Sequence, residues 1–274
     1  MELMDKRNRI IVLVDFSKNT ENLLDFAFNL AKLNKAKVIF VHQVTGMVPA
    51  LADEDSRNEI LRVEIAEARL NLHDLAKGRI KEDAFHVSPK PLLSILRDLS
   101  NINYFDWVLA GLKETRSLKH LLIGSTTLKI IDESSLLTLA VPVHKKITVP
   151  HKLHVGVTAK FSLNKIHLDN VLRSLKEHIE QLEFFTIIKD DEDEVEPREY
   201  LLEVQKEYEA YNPQIQLYKG KVALELLKDR MKKTENSFLV LQQGSRSLTD
   251  KLFRSFMINE LVYEAHTPLI VLSS

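Results

Sequence analysis

The sequence predicts an α/β chain of two doubly wound domains, each a five-stranded parallel sheet flanked by helices. Short β-rich apolar runs alternate with longer amphipathic segments along all 274 residues, and the same order of elements occurs twice. The repeat is also visible in aligned stretches: "RIIVLVDFS" (9–17) matches "KLHVGVTAK" (152–160) at an offset of 143, and "SSLLTLAVP" (134–142) matches "AHTPLIVLS" (265–273) at an offset of 131. Strands that alternate with helical patterns in this way form parallel sheets covered on both faces.

In the first half, "RIIVLVDF" (9–16) is a continuous apolar run and reads as a buried strand. A helix follows over 20–35, with Leu23, Leu24, Phe26, Phe28, Leu30, Ala31 and Leu33 in its apolar stripe and Thr20 as its cap. "AKVIFVHQV" (36–44) is the second strand, and a long helix started by polar residues covers about 53–78. A strand at 84–88, a helix at 92–102, a strand at 106–112, a helix at about 117–135 and a strand at 136–143 complete this half. The second half reads as strands at 152–159, 182–188, 215–220, 237–243 and 268–274, with helices at 164–179, 197–211, 222–234 and about 247–265 between them. "KKITVPHK" (145–152) is the expected joint, because Pro150 interrupts regular structure, so the domains are expected at 1–148 and 149–274.

Composition narrows the function classes. A net charge of −1 with 28% charged residues lacks the positive excess of a general nucleic-acid binder. The absence of cysteine excludes disulfide scaffolds, thiolate metal sites and cysteine nucleophiles. No apolar run reaches the roughly 18 residues that a membrane-spanning helix needs. The opening "MELMDKRNRIIVLVDFS" lacks a signal-peptide layout, so a soluble cytoplasmic protein is expected, with neither nucleic acid nor membrane as partner. His42, His86, His120 and His144 lie on different elements without a paired metal spacing, and no metal site is expected. Neither a G-x-S-x-G elbow nor a complete P-loop occurs. The acidic run "KDDEDEVEPRE" (189–199) lacks the ligand spacing of a calcium loop and reads as a solvated loop entering a helix. Leu61, Ile65, Leu70 and Leu72 read as core or interface.

The stretch "GLKETRSLKHLLIGS" (111–125) follows the apolar run "DWVLA" and carries the main functional signal. Glycine admits close approach of an anion to the backbone, and a helix start presents unpaired N–H groups to it. With "VLVDFS" at the first strand and "VIFVHQV" at the second, it makes the first half resemble a universal stress protein domain, and the whole chain a tandem member of that family. The ATP-binding branch carries glycine, two residues, glycine, nine residues, then glycine followed by Ser or Thr. This chain has Gly111, Leu112, Lys113, Glu114 in place of the second glycine, nine residues, then Gly124 and Ser125.

The resemblance implies Rossmann-like domains of the adenine nucleotide alpha hydrolase-like kind. It implies ATP, or AMP or ADP, as ligand, with contacts from Asp15, Gln43, Gly111, Gly124 and Ser125. Asp15 also reads as a cap for the loop "SKNTEN", and both roles stay open. Glu114 opposes the phosphates: in water, a carboxylate about 4 Å from a phosphate is repelled by about 1 kcal/mol per unit charge. In the second half Thr158 stands where Asp15 stands, and Ser255 and Phe256 replace Gly124 and Ser125; Gly244 falls opposite Glu114. The second nucleotide site therefore reads as largely lost.

The implied function is a cytoplasmic stress-response protein, regulatory or protective, with an adenine nucleotide in its N-terminal domain. The alternative is a nucleotide-free interaction scaffold for other proteins. No catalytic residue is assigned, because no general base can be named, and weak ATP hydrolysis is the most enzymatic activity expected. The apolar final strands of the two halves invite pairing, as exposed strand edges do. The resemblance places a pseudo-dimer within one chain there and leaves a further homodimer open.

Overall fold

The computed structural model describes residues 7–18, 20–46, 53–112, 125–142, 148–220, 222–234, 236–244 and 267–273. It is an α/β fold whose sheet pairings are parallel apart from one between two named strands. The chain divides into two compact units, Met1–Gly111 and Leu112–Ser274.

The first unit contains β1 (Arg7–Leu13), α1 (Thr20–Asn34), β2 (Lys37–Gln43), α2 (Glu54–Ala76), β3 (Phe85–Ser88), α3 (Leu92–Leu99) and β4 (Tyr104–Gly111). Its strands lie in the order β3-β2-β1-β4, all parallel. The two central strands are buried on both faces, which is why Ile10, Ile11 and Val12 run without alternation. Leu24, Phe26 and Leu30 of α1 cover one face. Only Ala68, Leu72 and Ala76 of the long α2 are buried. Leu70, expected in the core or an interface, is 68% exposed. Two residues along a helix turn its face by about 200°, so Leu70 and Leu72 cannot share one. Helix α2 is bounded by an Asp53 cap that accepts the Ser56 N–H at 2.8 Å, and by Lys77 in the left-handed region. Thr20, expected as a cap, is instead the first helical residue of α1.

At the amino ends of β1 and β4, the Arg9 guanidinium grips Asp106 through Nε at 2.6 Å and Nη2 at 2.7 Å and also donates to the Leu99 carbonyl. Both side chains are buried, and the fork geometry satisfies them mutually.

The second unit contains α4, described over Ser125–Glu133, β5 (Leu137–Val141), β6 (Lys152–Gly156), α5 (Lys165–Leu175), β7 (Gln181–Ile188), α6 (Val195–Glu207), β8 (Gln214–Lys219), α7 (Ala223–Lys233), β9 (Ser237–Gln242) and β10 (Leu269–Leu272). Strands β8-β7-β6-β9-β10 are parallel in that order, and β5 joins β10 antiparallel, with Leu139 opposite Ile270. That pairing draws 137–141 into the second compact unit. The expected helix at about 247–265 lies outside the described residues. The acidic run is an exposed loop entering α6, where Glu194 meets Lys219 at 3.1 Å and Arg198 at 3.2 Å.

A buried ionic cluster lies under α7. Glu183 on β7 is fully buried and meets Lys152 Nζ at 3.1 Å, His154 Nδ1 at 3.2 Å and the Arg230 guanidinium. Burial pushes the Glu183 carboxyl up, but hydrogen bonds from His154 and Arg230 and the charge of Lys152 outweigh it and hold the carboxyl at about 2. Burial pushes the His154 imidazole down, against the upward pull of Glu183. Its Nε2 has no partner, so protonation would bury an unpaired N–H.

Both groups make stability fall with acidification. For His154, the unfolded chain takes up a proton near its ordinary value of 6.5 while the folded chain does not, so stability falls as pH drops below about 6.5. For Glu183, stability present above about 4.5 is lost as pH falls towards about 2. Urea midpoints between pH 8 and pH 3 should therefore decline continuously below about pH 6.5, and His154→Gln should flatten the upper part of that decline.

Candidate functional site

In the first unit the order of strands reverses between β1 and β4: β2 and β3 lie on one side of β1 and β4 on the other. Ligands of open α/β sheets bind beyond the carboxyl ends of the strands at such a point. Leu13 lies opposite both Val41 and Ala110, and the Val14 N–H donates to the Val41 carbonyl at 2.8 Å. This register sets Asp15, Gln43 and Gly111 at neighbouring strand ends, so three of the five expected residues come together.

Asp15 performs the local role its sequence context allowed. Its Oδ1 accepts the Ser17 N–H at 3.0 Å and the Thr20 hydroxyl at 3.2 Å, tying the loop after β1 to the start of α1. Gln43 is half-buried and ends β2. Gly111 ends β4, and among the described residues a Cβ there would meet Leu23 Cδ2 at an ordinary 3.7 Å. The described neighbours of Gly111 therefore do not themselves demand glycine at this position. Ser125 opens the described part of α4, but its side chain, like Glu114 and Gly124, lies outside the described residues.

Two residues at this end of the sheet were not expected in the site. Phe16 has φ 54, a left-handed conformation that is unusual for a bulky side chain. This conformation carries its ring to 4.4 Å from that of His42, while His42 Nδ1 lies 2.8 Å from the Val14 carbonyl and so donates its N–H there. The sequence signal was an aromatic residue directly after Asp15; its backbone strain was not visible in the residue types.

The second unit shows what the same strand ends look like when protein groups fill them. Gly156 lies opposite Leu241 as Leu13 lies opposite Ala110, so Gln242 occupies the strand position that Gly111 holds in the first unit. The Gln242 side chain is buried; its Oε1 accepts the Asn164 N–H at 2.8 Å, and its Nε2 donates to the Leu272 carbonyl at 3.2 Å and the Ser273 carbonyl at 3.3 Å. Asn164 caps α5 by accepting the His167 N–H at 3.0 Å and donates to the Ser273 carbonyl at 2.8 Å. Gln243 Nε2 reaches the Asp132 carbonyl at 2.7 Å. Thr158 takes over the turn role of Asp15, its hydroxyl accepting the Lys160 N–H at 3.4 Å. A Cβ on Gly156 would meet Leu241 Cδ2 at 2.7 Å and Phe185 Cζ at 3.1 Å, so core packing excludes a side chain there. Ser255 and Phe256 lie outside the described residues. Gly244 is described and has φ 74, so its backbone uses the left-handed freedom of glycine.

No group of three or more His, Cys, Asp or Glu able to hold a metal occurs among the described residues, and no described helix is long and apolar enough to cross a membrane.

Comparison with known proteins agrees with this geometry. The chain is similar to the crystal structure of a universal stress protein from Archaeoglobus fulgidus DSM 4304, with a TM-score of 0.64 and 15% identity over 96% of this chain and 98% of that one. It is also similar to a putative universal stress protein from Pseudomonas aeruginosa UCBPP-PA14, with a TM-score of 0.58 and 11% identity over 98% and 94%. The cytoplasmic domain of a prokaryotic cation chloride cotransporter matches with a TM-score of 0.51 and 12% identity over 97% and 95%. At these identities the likenesses speak for the fold alone. No curated protein sequence matches the chain. The sequence pattern of the Universal stress protein family matches residues 6–142, half of the chain and all of β1 to β5. With the family pattern matching half of the chain and the fold in agreement, the chain belongs to the universal stress protein family.

Proposed function

We propose that this protein is a cytoplasmic tandem universal stress protein that holds one adenine nucleotide, ATP or its AMP or ADP counterpart, in its N-terminal domain and acts as a regulatory or protective binding protein. The observation that carries the proposal is the meeting of Asp15, Gln43 and Gly111 at adjacent strand ends of the first unit, where the place corresponding to Gly111 in the second unit holds the buried, hydrogen-bonded side chain of Gln242. Asp15 and Gln43 flank the end of β4 for ribose and base, with the Phe16–His42 pair beside them. Gly124 and Ser125 take the phosphates, as the family motif implies. The shared strand order of β3-β2-β1-β4 and β8-β7-β6-β9 supports a second domain of the same type with its site closed. The antiparallel β5–β10 pair supports a pseudo-dimer built within one chain.

The scaffold reading has one observation of its own: Asp15 Oδ1 is already engaged by Ser17 and Thr20. Native mass spectrometry of protein purified without added nucleotide, followed by thermal melting at millimolar ATP, separates the two. Bound nucleotide, or a melting temperature that rises with ATP, supports the sensor; neither effect leaves the scaffold. In the sensor, Glu114→Gly should tighten ATP by about tenfold, since it removes a repelling carboxylate worth about 1 kcal/mol or more.

A further inference from the structure

We propose that the edge of β3 that carries no further strand among the described residues is a docking groove for an extended acidic peptide, which adds to the sheet as a further strand. A groove of ≈ 370 Å³ touches all four consecutive residues of β3, from Phe85 to Ser88. Successive side chains of a strand point to opposite faces, so a groove that meets all four lies along the edge and not on either face. Strand β3 ends the sheet order, with β2 as its described neighbour.

The backbone there is ready to pair. The Ser88 carbonyl accepts the Val44 N–H at 3.1 Å, so Ser88 directs its backbone groups towards β2. Alternation then turns the N–H and C=O of Val87, and the C=O of Phe85, towards the groove. The Phe85 N–H is already used by the turn before it, donating to the Glu82 carbonyl.

The two walls differ in chemistry, and they set the pattern of the guest. Phe85 stacks on Phe40, which contacts Phe28 of α1, so Phe85 and Val87 face the side covered by α1 and α2. On that side Arg69 of α2 is exposed and makes no hydrogen bond or ion pair among the described residues. Helix α3 returns the chain from β3 to β4 in the opposite direction, and right-handed crossover puts it on the other face. There Ile95 and Leu99 offer apolar surface beside His86. Lys90 at the mouth is held by Asp98 at 2.8 Å in an exposed pair that water readily replaces. Burial pushes the His86 imidazole down, and the positive charges of Arg9 and Arg69 push it further. A guest strand with acidic residues towards α2 and apolar residues towards α3 matches both walls. A second copy of this edge does not, because Arg69 and Lys90 would meet their own like charges.

The test uses the full chain and a fluorescent peptide, acetyl-(Glu-Val)3-amide, with acetyl-(Lys-Val)3-amide as control. The Glu-Val peptide should bind at least tenfold tighter than the Lys-Val peptide and slow amide exchange at Val87. Arg69→Glu, an exposed change on α2, should weaken it at least tenfold. Val87→Pro removes the edge N–H at a position where an edge strand tolerates proline, and should do the same with melting unchanged. No binding at millimolar peptide, equal binding of the lysine peptide, or indifference to Val87→Pro would overturn the proposal. So would a concentration-dependent dimer that Val87→Pro abolishes, which would assign the edge to a second copy of the chain.

Discussion

Glu183→Ala should lower the stability of the second unit by about 3–5 kcal/mol, the cost of breaking a buried ion pair from one side. The carboxylate is the only anion facing Lys152, His154 and Arg230 among the described residues. Lys152 is 7% exposed and His154 fully buried, so neither can recover its lost partner from solvent. Arg230, 39% exposed, can turn outward, which places the cost at the lower end for that contact. Glu183→Gln keeps the shape and one acceptor but not the charge, and should lose less than the alanine variant. Chemical denaturation of both variants at pH 7.5 measures the difference. If Glu183→Ala unfolds within about 1 kcal/mol of the parent, the cluster does not hold this unit together.

The second large effect is on the ligand. Gly111→Gln copies into the first domain the residue that fills the corresponding place in the second. A Cβ at residue 111 meets Leu23 at an ordinary distance, so the fold should remain within about 1 kcal/mol of the parent. ATP affinity should fall by at least about 100-fold, or about 2.8 kcal/mol, because the new side chain projects from the strand end at which the proposed nucleotide would approach the backbone. Unchanged melting combined with lost ATP-dependent stabilisation would separate an effect on the site from an effect on folding.

Element type and the succession of elements along the chain were legible because their signals are periodic. Buried parallel strands show as unbroken runs such as "RIIVLV", and helices as stripes such as Leu23, Leu24, Phe26 and Leu30. Leu70 shows the limit of that signal: an apolar residue in a helical pattern is inside only if its phase agrees with its neighbours. The placing of Asp15, Gln43 and Gly111 at adjacent strand ends was also legible, because it depends on strand ends and order alone.

Contacts that depend on three-dimensional register were not legible. Nothing in "LVLQQG" announces that Gln242 turns inward to bond Asn164, 78 residues earlier. The Lys152–Glu183–Arg230 cluster likewise joins residues of like composition to any solvated surface, and only the pairing of β6 with β7 under α7 reveals Lys152 and Glu183 as buried. Phe16 was read as part of a strand, whereas that strand ends at Leu13 and Phe16, with its positive φ, lies beyond it with its ring beside His42.

Calorimetric titration of ATP into the intact chain tests most directly whether one domain binds and the other is closed. The predicted result is one nucleotide per chain, with the heat abolished in Gly111→Gln. Two nucleotides per chain, binding that survives Gly111→Gln, or no heat with unchanged melting at millimolar ATP would contradict it.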